Sequence, residues 1–296
     1  MKIYRRVLAA FLAVLMLPLL SGSSVFETKL ARSIEKMSRK NNLHYALSLG
    51  LELELASDEE TAEGTKRFLL LPGSFEAEGS LYTDPFQLQA DARLTLPGAD
   101  THWECYLEKD EAAYYLYSRI NDGTLWQKQG LADDGKARVE GLRYIVRGSE
   151  SFLPAGEETV GGQLTERFDG IIPGEYLSGL LDLYGVHEWL CDELGLKLED
   201  GLFDGLPDVP ASVWLDKESR LIVRVDAELG ELLSLIAERQ LAESRRASSF
   251  DTLGLSMDLK RAHLSLHLSD YDAAEPFAVP EDARSAWGSD VMPWDR

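Results

Sequence analysis

Apolar and polar residues alternate along this chain over segments much longer than an ordinary strand. Every second residue from Leu43 to Leu55 is apolar, and so is every second residue from Phe86 to Leu96. Successive side chains of a strand point to opposite faces, so this pattern predicts strands that bury one face and expose the other. Strands usually have about five or six residues. Segments of about twice that length predict a large, strongly curved antiparallel sheet.

Further segments of the same kind predict a series of antiparallel neighbours. Pro97-Gly98 and Asn121-Asp122-Gly123 are typical of turns between such strands. In the last segment the apolar positions change from odd to even numbers at Lys260-Arg261, which predicts a β-bulge because one extra residue exchanges the two faces. The shorter predicted strands lie at 103–107, 114–117, 160–168, 213–216, 221–229 and 255–268.

Apolar residues at three- and four-residue steps predict helices between and before the strands. These helices cover 24–42, 134–146, 173–198 with a break near Gly185, and 231–246, the last inserted between two strands. Together the elements predict the α+β class. We expect one domain over 24–285, in which a large curved antiparallel sheet forms a half-open barrel with helices on its concave face, and a C-terminal tail over 286–296.

The first 23 residues have the features of a secretory signal. Lys2 and Arg5-Arg6 form a basic start, residues 7–20 are almost all apolar, and Ser21 and Ser23 are small residues that suit a cut before Ser24. The alternative is an uncleaved anchor, although the apolar stretch is shorter than the roughly 20 residues of a membrane-spanning helix. We expect cleavage, a secreted or cell-surface location, and no membrane span in the mature chain.

Charge and cysteine content narrow the set of partners. The chain has 51 acidic and 30 basic residues, a formal charge of -21. Such a surface repels phosphate backbones, so we expect no nucleic-acid partner, whereas a basic protein partner would be favoured. Cys105 and Cys191 are the only cysteines. They could pair outside the cytoplasm, but Cys105 also fits the apolar face of a strand as a free core residue.

The sequence contains no motif that indicates catalysis. The nucleophile elbow, the phosphate loop, the dinucleotide fingerprint and the His-Glu-x-x-His zinc motif are all absent. His187 and Cys191 have a spacing that occurs in zinc sites, but two ligands do not form a site. His263 and His267 share the polar face of a predicted strand. We therefore expect no catalytic residues, no bound metal and no cofactor.

Three local sequences, in this order along the chain, resemble a bacterial family. They are Tyr114-Tyr115-Leu116-Tyr117 followed by Trp126-Gln127-Lys128, then 213–218 followed by 221–225, then Tyr271-Asp272 followed by 277–283. With the order of helices and strands, they resemble the LolA/LolB/LppX-like fold, and especially a group of uncharacterised extracytoplasmic lipoprotein-like proteins of that shape. The resemblance implies a half-open barrel, whose cavity in some members holds lipid or lipoprotein acyl chains.

The chain departs from this family at the lipoprotein box. Leu20-Ser21-Gly22 is followed by Ser23, where the lipoproteins carry the cysteine that receives the lipid. A serine hydroxyl is not lipidated by that route. We therefore do not expect the lipid anchor of the family here, and we expect the protein to be released as a soluble protein.

We expect a non-catalytic binding protein that holds an apolar ligand, such as a lipid acyl chain, on the concave face. The alternative is a structural or protein-interaction module whose concave face is filled by its own helices and whose acidic exterior is the working surface. A group of aromatic residues on neighbouring strands, at 103, 106, 114, 115, 117 and 126, fills the core or lines a cavity. The candidate cavity residues are Leu47, Leu49, Leu51, Leu88, Leu94, Trp103, Val223 and Val225.

Overall fold

The computed structural model describes most of the chain. The described residues are 28–57, 68–110, 113–121, 123, 125–132, 148–183, 187, 191, 201–247, 255–286 and 288–289. The predicted signal at 1–23, the predicted helix at 134–146 and most of the second half of the helix predicted at 173–198 lie outside these ranges. Those three expectations therefore stay predictions.

A single twelve-stranded sheet organises the described residues. Its strand order is β12-β6-β5-β4-β3-β2-β1-β11-β10-β9-β8-β7, and every neighbouring pair is antiparallel except β12 with β6. Two antiparallel meanders thus meet where β1 pairs with β11. The strands are β1 (Asn42–Ser57), β2 (Phe68–Thr83), β3 (Phe86–Leu96), β4 (Ala99–Asp110), β5 (Ala113–Ile120), β6 (Gln127–Ala132), β7 (Leu153–Val160), β8 (Gln163–Ile172), β9 (Val209–Asp216), β10 (Ile222–Glu228), β11 (Leu255–Ser269) and β12 (Gly288–Ser289).

Four α-helices accompany the sheet in the described part of the chain: α1 (Lys29–Ser38), α2 (Gly174–Leu183), α3 (Gly230–Ala247) and the short α4 (Glu281–Arg284). The α+β class and the large curved antiparallel sheet are confirmed. The insertion of α3 between two neighbouring strands, β10 and β11, is confirmed as well. At the start of α1 the Thr28 hydroxyl accepts a hydrogen bond from the Ala31 amide at 3.1 Å, which satisfies one of the free amides of the first turn.

The two faces of the sheet follow from the alternation of β1. Leu47 and Leu49 lie on the side that we call the inner face, and Ser48 and Gly50 lie on the side that we call the outer face. The inner face carries the main hydrophobic core, which α1 covers with Leu30, Ile34 and Met37. Much of the apolar side of β1 and β3 is therefore buried in this core, as the period of two predicts.

The predicted bulge in β11 is confirmed. Glu52 of β1 lies opposite Arg261, and Leu53 lies opposite Leu259, so Lys260 is the extra residue in the ladder. Because of this one residue, Leu259 and Leu264 both reach the inner core although their numbers differ in parity.

Four strands, β2, β6, β7 and β12, lie outside the predicted strand ranges. The inner face of β2 carries small residues, among them Gly73, Ala77 and Gly79, so its sequence lacks the alternation that marks β1. Gly79 is required by close packing, since a Cβ there would lie 1.9 Å from the Gln89 carbonyl oxygen. β7 is an edge strand with almost every residue exposed, so no apolar face reveals it.

Two boundaries differ from the prediction. The single strand expected at 160–168 is a hairpin of β7 and β8, because Gly161 and Gly162 have φ values of 58° and 83° and form the turn. The expected tail at 286–296 contains Gly288 and Ser289, which pair with β6 as a short parallel strand.

Candidate functional site

Four of the eight candidate cavity residues are packed within the protein itself. Leu47, Leu49, Leu88 and Trp103 lie on the inner face and belong to the core that α1 covers. Their relative exposure is between 1% and 9%, so helix and neighbouring strands already occupy the space in front of them.

The other four candidates are less buried. Leu51, Leu94 and Val225 are half-buried and pack against the same core from its margin. Val223 lies at an irregularity in the pairing of β10 with β9, and it is half-buried without joining the main core. The irregularity brings Ile222 into the core instead, so the alternation expected from 221 to 229 is interrupted there.

Several half-buried apolar side chains lie near one end of the inner face. Leu51 of β1 lies two residues from Leu53, which faces Leu259 of β11. Leu94 of β3 faces Phe75, and Ile120 of β5 faces Trp103. We call Leu259, Leu51, Leu94 and Ile120 the inner row. All four pack against the main core without being fully buried. Leu232 and Leu233 of α3 are likewise half-buried against this core.

Trp103 lies beside the inner row and carries an unsatisfied hydrogen-bond donor. It faces Ile120 of β5 on one side and Ala92 of β3 on the other. Its side chain is 1% exposed, and its indole Nε1 is buried without an acceptor among the described residues. A buried donor with no partner costs free energy of about 1–3 kcal/mol. Sequence reasoning placed Trp103 correctly on the inner face, but it could not reveal this missing partner.

The aromatic group is divided between the two faces. Trp103 and Tyr114 are part of the inner core, whereas Tyr106, Tyr117 and Trp126 form a second cluster with residues of the C-terminal segment. Trp126 donates a hydrogen bond to Asp282 at 3.0 Å. The outer aromatic residues therefore hold the C-terminal segment against the sheet and do not line an inner cavity.

A shallow pocket of about 620 Å³ lies over the middle of β1. Its side chains belong mainly to the outer face, because Gly50 pairs with Ser74 of β2 and with His263 of β11. The sequence signal for it is Gly50, which interrupts the polar positions of β1 between Ser48 and Glu52, but the prediction did not use it. The residues around the pocket are Ser48, Leu49, Gly50, Leu51, Glu52, Leu70, Pro72, Gly73, Ser74, Phe75, Glu76, Arg261 and His263.

Most charged groups elsewhere on the outer face are paired. Arg224 donates to Asp226 at 2.8 and 2.6 Å, and Asp226 accepts from the Ser265 hydroxyl at 2.7 Å. The pKa of His267 is lowered, first by burial and then by the nearby Arg224 guanidinium. His263 lies 2.7 Å from Glu228. Both histidines share the outer face, opposite the buried Leu264 and Leu266, as predicted.

The two cysteines are free thiols in this structure. Cys105 is buried on the inner face of β4, and burial raises the pKa of its thiol to about 12. Cys191 is half-exposed. The pairing that the sequence left open is therefore not formed here.

His187 and Cys191 have the spacing of zinc ligands, but the described ranges contain no group of three side chains that could bind a metal ion. The His187 ring packs edge-on against Phe203, with 6.4 Å between ring centres. Within those same ranges no helix is both long and apolar enough to cross a bilayer.

Comparison with known proteins gives structural likeness only. No protein-family model matches the chain, and no curated protein matches its sequence. The structure is similar to that of the Mycobacterium tuberculosis lipoprotein LppX, with 14% sequence identity, a TM-score of 0.40 and coverage of 85% of this chain and 96% of that one. It is also similar to LprF from Mycobacterium bovis, with 13% identity, a TM-score of 0.42 and coverage of 86% and 95%. The fold class described above rests on the strand pairing of this chain.

Proposed function

We propose that the protein works outside the cytoplasm as a non-catalytic binding protein that holds an apolar chain along the inner row. The observation that carries this proposal is the change of burial along the inner face. Leu47 and Leu49 are buried under the protein's own elements, whereas Leu51 and Leu94 remain half-buried at the margin of the core. The site is therefore narrower than the eight residues considered from the sequence.

Burial of apolar surface would drive the binding. Full burial of a leucine side chain is worth about 1.5–3 kcal/mol relative to exposure. Because the four side chains are already largely buried, covering their remaining exposed surface would contribute about 1–3 kcal/mol in total, and burial of the ligand's own apolar chain would supply the rest.

Trp103 supports a ligand that carries an acceptor as well as an apolar chain. Trp103 is the cross-strand neighbour of Ile120, and its indole N–H has no acceptor among the described residues. Because Trp103 is 1% exposed, the side chains that cover its indole would have to move when the ligand binds. An ester or amide carbonyl next to the chain would then accept this hydrogen bond without bringing a charge into the core, where an unpaired charge is costly. A neutral acylated molecule is therefore the proposed ligand class.

A second candidate is a protein-interaction module with a filled inner face. The burial of Leu30, Ile34 and Met37 of α1 against the sheet favours it, because this part of the inner face offers no space to a ligand. Under this alternative the acidic exterior would meet a basic protein partner, and apolar probes would not bind.

Fluorescence titration with the methyl ester of cis-parinaric acid, a neutral acyl ester, separates the two candidates. The first predicts saturable binding to the wild type and at least about a tenfold higher Kd for L51Q and L94Q, since a tenfold change corresponds to about 1.4 kcal/mol. L164Q is the matched control, because Leu164 is 51% exposed and lies near the start of β8, a strand that contributes no residue to the inner row. No binding by the wild type, or equal Kd values for all four proteins, would reject the carrier role.

The proposed location has its own test. The chain produced in full in a bacterial host should appear in the extracytoplasmic fraction, with an intact mass that begins at Ser24. An unprocessed protein that sediments with membranes would support the anchor instead. Either result is independent of the binding measurement.

A further inference from the structure

The pocket over Gly50 lies on the opposite side of the sheet from the inner row. Gly50 forms its floor between Ser74 of β2 and His263 of β11. One wall is apolar, with Leu70 at 53% exposure beside Pro72. The lining also includes Glu52, Glu76 and Arg261, so the pocket combines an apolar wall with groups of both signs.

Three charged side chains at this pocket form no ion pair with a described residue, unlike most charged groups on the rest of the outer face. Glu52, Glu76 and Arg261 form no ion pair and no side-chain hydrogen bond with any described residue, although Glu52 and Arg261 lie directly opposite each other. Glu76 faces Arg93, but the Arg93 guanidinium is bound to Asp100. Three charges that are available in one pocket can bind a ligand that carries both an anionic and a cationic group.

Gly50 itself has no structural reason to be a glycine. A Cβ at this position would meet no atom within 4 Å, and Gly50 is not among the residues with positive φ. Glycine inside a strand costs about 0.5–1 kcal/mol relative to alanine. The missing side chain leaves the floor of the pocket open.

We propose that this pocket is a second binding site, for a small zwitterion with an aliphatic portion, of the kind represented by an apolar α-amino acid. The Arg261 guanidinium binds the carboxylate of the ligand through two parallel hydrogen bonds. The ammonium group is held by Glu52, which lies directly opposite Arg261, and the aliphatic portion contacts Leu70 and Pro72. His263 stays with Glu228 and forms a side of the pocket.

Three probes that share one carbon skeleton test the requirement for both charges. L-leucine has the ammonium and the carboxylate, 3-methylbutylamine lacks the carboxylate, and 4-methylpentanoate lacks the ammonium. Titration followed by NMR chemical shifts should give a Kd for leucine at least tenfold lower than for either analogue. If leucine does not bind, or binds no better than its two analogues, the proposal is wrong.

Two variants locate the site without disturbing the fold. G50V fills the pocket and should abolish leucine binding, while the melting temperature stays equal or rises because valine favours strands. R261Q should lower the affinity for leucine at least tenfold and leave the affinity for 3-methylbutylamine unchanged. L94Q, on the opposite face, should bind leucine as the wild type does. Leucine binding retained by a folded G50V protein would overturn the assignment whatever the outcome for the inner row.

Discussion

The guanidinium of Arg284 donates two hydrogen bonds to the carboxylate of Glu108, from Nε to Oε1 at 2.9 Å and from Nη2 to Oε2 at 2.8 Å. Glu108 belongs to β4, and its side chain is 11% exposed. The pair therefore joins the C-terminal segment to the outer face of the sheet, 176 residues away along the chain.

Removing this pair should destabilise the protein. R284Q leaves the Glu108 carboxylate largely buried without its cation, so we expect a loss of about 1–2 kcal/mol in the free energy of unfolding. Urea denaturation measures it. The control is R39Q, because Arg39 pairs with Glu35 on the exposed side of α1, where such a pair is worth about 0.3–0.5 kcal/mol. Equal losses for both variants would mean that the C-terminal segment is not held by Glu108.

Deletion of Lys260 should be tolerated. Without it, Arg261 and Leu259 would still face Glu52 and Leu53, so the ladder becomes regular and no core residue changes face. Deletion of Ser265 is the contrasting variant, because it turns buried leucines of β11 to the other face, at about 1.5–3 kcal/mol for each side chain. Circular dichroism and thermal melting should find the first variant folded and the second unfolded. The reverse order would contradict the bulge.

Stability should fall in acid partly through Asp272. The pKa of this carboxyl lies below its ordinary value of 3.8 because Lys40 and the Asn41 amide donate hydrogen bonds to it, at 2.7 and 2.8 Å. A lowered pKa in the folded state gives stability that is complete above the unfolded pKa and is lost as pH falls through the folded pKa. D272N should therefore be less stable than the wild type at pH 6, and this difference should shrink as pH falls through the folded pKa. A constant difference across that range would exclude this contribution.

Alkylation of the native protein should modify only one thiol. Cys105 is buried, and its pKa of about 12 leaves almost no thiolate at neutral pH, whereas Cys191 is half-exposed. Mass spectrometry after iodoacetamide treatment should give one adduct under native conditions and two after denaturation. No adduct in denaturant without a reductant would indicate a disulfide, contrary to the free thiols of this structure.

The long strands and the bulge could be predicted because each produces a pattern of apolar and polar residues within a single segment of the chain. β3 has the predicted bounds, Phe86–Leu96, and the parity change near Lys260 is visible without knowledge of the partner strand. β2 could not be predicted in the same way. On its inner side, the Tyr45 hydroxyl and the Gln89 carbonyl leave no room for a side chain at Gly79. A glycine therefore stands where the alternation would place an apolar residue.

For the candidate site, the sequence could predict only which side of the sheet its residues lie on. Alternation placed Leu47 and Leu51 on the same side, but it could not show that one is buried and the other half-buried. That difference depends on where helices from distant parts of the chain lie. The missing partner of Trp103 and the open space over Gly50 are likewise products of tertiary packing, which local sequence does not encode.

The indole N–H resonance of Trp103 tests the proposed apolar site most directly. In ¹⁵N-labelled protein it can be assigned by its absence from W103F, and 1-decanoylglycerol is the probe, because it carries a neutral ester on an apolar chain. We predict a saturable downfield shift of the Trp103 indole proton as the ester carbonyl accepts its hydrogen bond. The shift should be lost in L51Q and kept in L164Q. An unchanged Trp103 resonance at saturating probe would contradict the account.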